Sequence, residues 1–83
     1  MNSYNLMGIA IGNRKTFAPD VQEVLTRFGK IIKMRIGLHE NSENESTNEG
    51  FIILNLSDDD KEIRRFIKRL ESIESVRVKN IKV

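Results

Sequence analysis

An α+β sandwich in the element order βαββαβ is what the 83-residue sequence predicts, and three features predict it. Two segments repeat apolar residues at helical spacing: Val21, Val24, Leu25 and Phe28, then Ile63, Phe66, Ile67 and Leu70. Shorter segments before, between and after them alternate with the period of a strand. No linker, repeat or shift in composition divides the chain, so residues 1–83 are read as a single domain.

Each element can be justified in turn. Tyr4 to Gly12 sets Leu6, Gly8 and Ala10 on one face and Met7, Ile9 and Ile11 on the other. Both faces are apolar, one small and one bulky, as expected of a central strand packed on both sides. Asn13-Arg14-Lys15 interrupts the alternation as a polar loop. In the helix that follows, Thr16 or Asn13 can cap the start, and Pro19 is tolerated near the first turn. Gly29 stands where a left-handed C-terminal cap belongs. From Gly29 to Leu38 the chain runs as a second strand, with Ile32, Met34, Ile36 and Leu38 facing one way and Lys33 and Arg35 the other.

Glu40 to Glu49 is polar, acidic and free of apolar anchors, which makes it a hairpin loop; it lacks the ligand order of a calcium-binding EF-hand. Gly50 to Leu56 is the third strand, with Ile52, Leu54 and Leu56 opposed to Phe51, Ile53 and Asn55. Ser57 supplies a hydroxyl cap for the second helix, and Asp58, Asp59 and Asp60 complement the positive end of its dipole. Lys61, Arg64, Arg65, Lys68 and Arg69 lie off the apolar stripe; interrupted by Glu62, Glu71 and Glu74, they form a solvated face. Ser75 to Lys79 is the last strand, and the change of phase at Ile81 and Val83 predicts a bulge or a fraying end. Right-handed crossovers turn this order into a ferredoxin-like sandwich: four antiparallel strands ordered 4-1-3-2, with both helices on one face.

Such an arrangement leaves one sheet face bare. Met7, Ile9, Ile11, Ile32, Met34, Ile36, Ile52, Leu54, Leu56, Val76 and Val78 are assigned to the helix side. The bare side then carries Leu6, Gly8, Ala10, Phe51 and Ile53, flanked by Lys33, Arg35, Arg77 and Lys79. A monomer seldom leaves so apolar a strip in water, so these five central residues are the expected contact between copies in a homo-oligomer, a dimer or a tetramer. Stacking of single-stranded RNA is the competing use of this face. It is disfavoured because Glu49-Gly50-Phe51-Ile52-Ile53-Leu54 begins with an acid and places Ile53 where an aromatic should stack.

Composition narrows the partners. The net charge is only +2, too slight for a polycationic field. There is no cysteine and a single histidine, His39, at a strand end, so no metal site and no cofactor are expected. No apolar run approaches the ~20 residues that span a bilayer and no secretory signal is apparent, so a cytoplasmic location is expected. No triad and no phosphate-cradling P-loop is present, so no catalytic residue is assigned. Gly12-Asn13-Arg14 precedes the first helix, where backbone N–H groups and a helix N-terminus favour an anion. Gly37 is either a strand-end turn or the place where a ligand or a neighbouring chain approaches the backbone.

Ile9-Ala10-Ile11, Asn13-Arg14, Val21-Gln22-Glu23-Val24-Leu25, the run Gly29-x-Ile31-Ile32-x-x-Arg35-x-Gly37-Leu38 and the closing Val76-Arg77-Val78-Lys79 together resemble the iron-only hydrogenase system regulators. The resemblance spans nearly the whole chain, and Gly29 to Leu38 is its most distinctive part. It implies an ACT-like domain similar to the C-terminal domain of the nickel-responsive repressor. It also implies a homo-oligomer built by sheet packing, with effector sites at subunit interfaces. The likeness does not extend to the repressor's His/Cys ligand cluster or to a ribbon-helix-helix arm, so neither nickel sensing nor direct DNA binding is expected. The expected function is thus a non-enzymatic regulatory module. Its ligand or partner protein would meet Gly12, Asn13, Arg14, Arg35 and Gly37, with the two arginines pairing an anionic group. An acylphosphatase-like hydrolase using Arg14 and Asn13, and a module for single-stranded nucleic acid, stand as the alternatives.

Overall fold

The computed structural model describes residues 4–38 and 49–83. Its elements are β1 (Asn5–Ile11), α1 (Arg14–Arg27), β2 (Ile32–Leu38), β3 (Gly50–Leu56), α2 (Asp60–Glu71) and β4 (Val76–Lys82). The strands form one antiparallel sheet in the order β2-β3-β1-β4, which is the predicted order. The readings made for His39 and for the loop from Glu40 to Asn48 lie outside the described residues.

The core forms where the apolar faces of strands and helices meet. Met7, Ile9 and Ile11 of β1 and Ile52, Leu54 and Leu56 of β3 pack against Val21, Val24 and Leu25 of α1 and Ile63, Phe66 and Leu70 of α2. Each fully buried side chain of this size stabilises the fold by about 1.5–3 kcal/mol, so the face that carries them is the one the helices cover. The Phe66 ring is fully buried and stacks on Phe28, with centroids 4.9 Å apart.

The structure corrects the assignment of β2 to a face. Ile32 pairs with Leu56, but the next pair is Met34 with Asn55, so Lys33 is an extra residue in a bulge. One added residue reverses every side chain beyond it. Met34 and Ile36, assigned to the helix side, therefore register with Asn55 and Ile53 on the open side, where they are 46% and 44% exposed. Arg35 and Gly37, opposite Leu54 and Ile52, take the helix side instead. Alternation alone could not reveal this, because both phases of β2 lead to an acceptable strand.

Five local expectations also change. Gly29 is not a left-handed cap: no glycine has positive φ, and α1 ends at Phe28, whose N–H donates to the Val24 carbonyl at 3.1 Å. Gly29–Ile31 is a 3-10 turn that drives Ile31 into the core, and β2 starts only after it. Pro19 lies inside α1 in its second turn, beyond the place where a missing N–H costs nothing. α2 is capped by Asp59, whose carboxylate accepts from the Glu62 N–H at 3.2 Å, and not by Ser57. β4 has neither bulge nor frayed end; it pairs with β1 without a register shift from Val76 to Lys82.

The change of phase in β4 has another cause. Asn80 and Lys82 occupy helix-side positions at the end of the sandwich, so Ile81 faces outward by ordinary alternation. There the Asn80 side-chain amide donates to Asn5 Oδ1 at 2.7 Å and to the Leu6 carbonyl at 2.9 Å. Asn5 is 1% exposed, and Lys82 Nζ reaches Asp60 Oδ1 at 3.1 Å. This polar end needs no compensation elsewhere, since no buried side-chain N or O among the described residues lacks a partner.

Candidate functional site

The turn between β1 and α1 is built by the sequence Gly12-Asn13. The Gly12 N–H donates to the Ser75 carbonyl at 2.7 Å, and a Cβ at Gly12 would lie 3.3 Å from that of Ser75. Gly12 thus serves close packing against the approach to β4. Asn13 adopts a left-handed conformation (φ 51°, ψ 56°), one that asparagine tolerates better than most residues. Its Oδ1 accepts from Thr16 Oγ1 at 3.2 Å. This turn places Arg14 as the first residue of α1, next to a helix end that has no acid in its first turn.

The stem of Arg14 then crosses Gly50 of β3. A Cβ at Gly50 would fall 3.1 Å from Arg14 Cδ and 3.3 Å from Cγ, so the absence of a side chain there is what gives the arginine its path. The stem borders a groove of about 140 Å³ between α1 and the sheet. Arg14, Ala18 and Gln22, spaced four apart, form its helical wall. Ile11, Gly50 and Ile52 form the floor, with Arg35 and Gly37 of β2 and Phe51 of β3 completing the lining. Arg14 is half-buried and Arg35 is exposed. None of the described residues that line the groove is acidic.

Arg14, Arg35 and Gly37 are thereby brought to one place, and Gly12 and Asn13 are not among its lining residues. Ala18, Gln22, Gly50 and Ile52 escaped the sequence reading. The spacing from Arg14 along the helix could have pointed to Ala18 and Gln22. Gly50 had no such signal, because it read as the first residue of the third strand. Arg35 reaches the groove only by virtue of the bulge at Lys33.

On the opposite side of the sheet, Leu6, Gly8, Ala10 and Ile53 are half-buried and Phe51 is 40% exposed. The Phe51 ring lies across Gly8, where a Cβ would come 3.2 Å from its Cζ. Register adds Met34 and Ile36 along one edge and Ile81 along the other, beside Arg77 and Lys79. The apolar strip is therefore wider than the one predicted, extending over all four strands. No helix among the described residues is long and apolar enough to cross a membrane. Nor do the described residues include a group of three or more His, Cys, Asp or Glu side chains placed to hold a metal ion.

Sheet order, helix placement and edge groove together define an ACT-like, ferredoxin-like sandwich. Among solved structures, the chain is similar to the uncharacterized protein TM1266 from Thermotoga maritima, with 25% identity over 99% of both chains and a TM-score of 0.83. It is also similar in fold to the ACT domain of GTP pyrophosphokinase from Chlorobium tepidum (10% identity, 96% of this chain and 85% of that one, TM-score 0.67). A third likeness is to CPII from Thiomonas intermedia K12, a nitrogen regulatory PII-like protein bound to ADP, AMP and bicarbonate. It has 15% identity over 99% of this chain and 91% of that one, with a TM-score of 0.63. No family model matches the sequence, and no curated protein matches it.

Proposed function

We propose that the chain is a non-enzymatic, ACT-like regulatory module that binds a small anionic effector and works as a homo-oligomer. The observation that carries this reading is the groove that unites Arg14, Arg35 and Gly37 beside a broad apolar sheet face. Two guanidinium groups offer fixed forks of donors to an oxyanion, and the glycines let it approach the backbone. The open face supplies the surface for a second copy, in which Leu6, Gly8, Ala10, Phe51 and Ile53 form the centre of the contact. The comparisons with an ACT domain and with a PII-like protein bound to small anionic ligands support a ligand-responsive role. Regulation of an iron-only hydrogenase system is the setting that the sequence resemblance implies.

Light scattering coupled to size exclusion, with thermal unfolding against a metabolite library, tests the reading. The expected results are a mass that is a multiple of 9.6 kDa and at least one ligand whose stabilisation disappears in Arg14→Gln. A 9.6-kDa species at tens of micromolar that no ligand stabilises would refute it.

A further inference from the structure

We infer that the outward face of α2 is a docking surface for an acidic helical segment of a partner protein. This surface is separate from both the effector groove and the open sheet face, and its use depends on neither.

α2 carries Lys61, Arg64, Arg65, Lys68 and Arg69, and all of them are exposed. Lys61, Arg64, Arg65 and Lys68 are spaced i, i+3, i+4 and i+7, so they share one face, opposite the side on which Ile63, Phe66 and Leu70 enter the core. In the sequence, Glu62 and Glu71 interrupt this run of charge. In the structure they stand aside from it. Glu62 is half-buried on the flank that borders α1, where its Oε1 accepts from Arg65 Nη1 at 2.7 Å. Glu71 comes one turn after Lys68, at the end of the helix. Lys61, Arg64, Lys68 and Arg69 make no ion pair with any described residue. The surface continues onto α1, because Arg27, held by Glu23 at 3.4 Å, borders a depression of about 210 Å³ together with Phe28, Arg65 and Arg69.

Such a face costs the helix stability. Lys61 and Arg65, Arg64 and Lys68, and Arg65 and Arg69 are like charges four residues apart, which repel across one turn. Lys61 also lies in the first turn, at the positive end of the helix dipole. Carboxylates of a partner laid along α2 relieve both.

Spacing and extent choose the partner. Lys61, the Arg64–Arg65 pair and Lys68 lie on successive turns, about 5.4 Å apart along the axis. A helix with carboxylates at the same interval meets them turn for turn. A nucleic-acid backbone runs on past so short a stripe, and on this layer it would meet Asp20 and Glu23 across the groove from Arg69, and Glu71 at the helix end. A bilayer surface requires apolar side chains to insert, and those of α2 are packed in the core or against it.

Fluorescence anisotropy with the full chain at low ionic strength tests this. One labelled probe is a synthetic helical peptide with glutamates at i, i+4, i+7 and i+11 on a single face. A second has the same composition with its glutamates spread around the helix, and a third is a short DNA duplex. The single-faced peptide is expected to bind most tightly. Arg64→Gln combined with Lys68→Gln should weaken it by about fivefold to tenfold. Arg77→Gln combined with Lys79→Gln removes the same charge from the open sheet face and should leave it unchanged. Arg64→Gln alone should melt no lower than the unsubstituted chain, since it relieves the repulsion from Lys68, so that a loss of binding is not a loss of fold. Equal losses in the two double variants, or equal binding of the two peptides, would overturn the inference as diffuse attraction. Tighter binding of the duplex would overturn it in favour of a nucleic-acid partner. Failure of the single-faced peptide to bind would overturn it outright.

Discussion

Replacing Ile36 by lysine places a cation on the edge strand β2 of the open sheet face, opposite Ile53 and on the side away from the helices. In the isolated chain Ile36 is already 44% exposed, so its folding stability should change by less than about 1 kcal/mol. In a dimer built by stacking two such faces the effect is much larger. Complete burial of an isoleucine is worth about 1.5–3 kcal/mol, and the 44% still exposed accounts for roughly 0.7–1.3 kcal/mol of it. Two-fold symmetry counts that loss twice, giving about 1.3–2.6 kcal/mol, or a rise in Kd of about tenfold to seventyfold. The new charge adds to this, because in the dimer it would be buried against apolar side chains. Sedimentation equilibrium over a concentration series measures the constant directly, and circular dichroism checks that the fold survives. An unchanged Kd in Ile36→Lys, or a wild-type chain that stays monomeric throughout the series, would refute the assignment of this face to self-association.

Other perturbations test the fold that positions these surfaces. Asp59→Ala removes the carboxylate that accepts from the Glu62 N–H and should cost about 0.5–2 kcal/mol in urea unfolding, while Ser57→Ala should stay within about 0.5 kcal/mol. Equal effects of the two would reject Asp59 as the cap. Phe66→Ala empties the centre of the core beneath Phe28 and should cost about 3–5 kcal/mol, enough to leave much of the chain unfolded by circular dichroism. Asn80→Ala leaves the buried Asn5 Oδ1 without its donor at 2.7 Å, and a loss of about 1–3 kcal/mol should appear in thermal unfolding.

The sheet order, both helices and most of the core were legible because burial imposes a period on the sequence. Met7, Ile9, Ile11, Ile52, Leu54 and Leu56 repeat every second residue, and Ile63, Phe66 and Leu70 follow the turn of a helix. What escaped was set by backbone details that hydrophobicity does not record. In β2, an alternating pattern looks the same whether or not Lys33 bulges, so the face given to Met34, Ile36 and Arg35 was reversed. In β4, the polar residues Asn80 and Lys82 take helix-side positions at the exposed end of the sandwich, bonded to Asn5 and Asp60, and polar residues in that phase beside an outward Ile81 mimic a slip in register. The choice of cap between Ser57 and Asp59 depended on where α2 begins, and boundaries are the least determined part of any periodic pattern. Arg14, Arg35 and Gly37 could be singled out by type, but their meeting in one groove required Gly50 to leave the Arg14 stem its path.

The extra residue at Lys33 acts on β2 as a frameshift acts on a gene. Upstream of it Ile32 reads inward; downstream, Met34 and Ile36 are delivered to the outer surface, and Arg35 and Gly37 to the groove. Deleting that one residue would exchange the two sets in a single step. The arginine would leave the anion's side of the sheet for the face that a second copy covers, and two aliphatic side chains would come to lie beneath α1. Chain length between Ile32 and Met34 thus governs recognition and assembly together, so neither surface can be re-registered along this strand without moving the other.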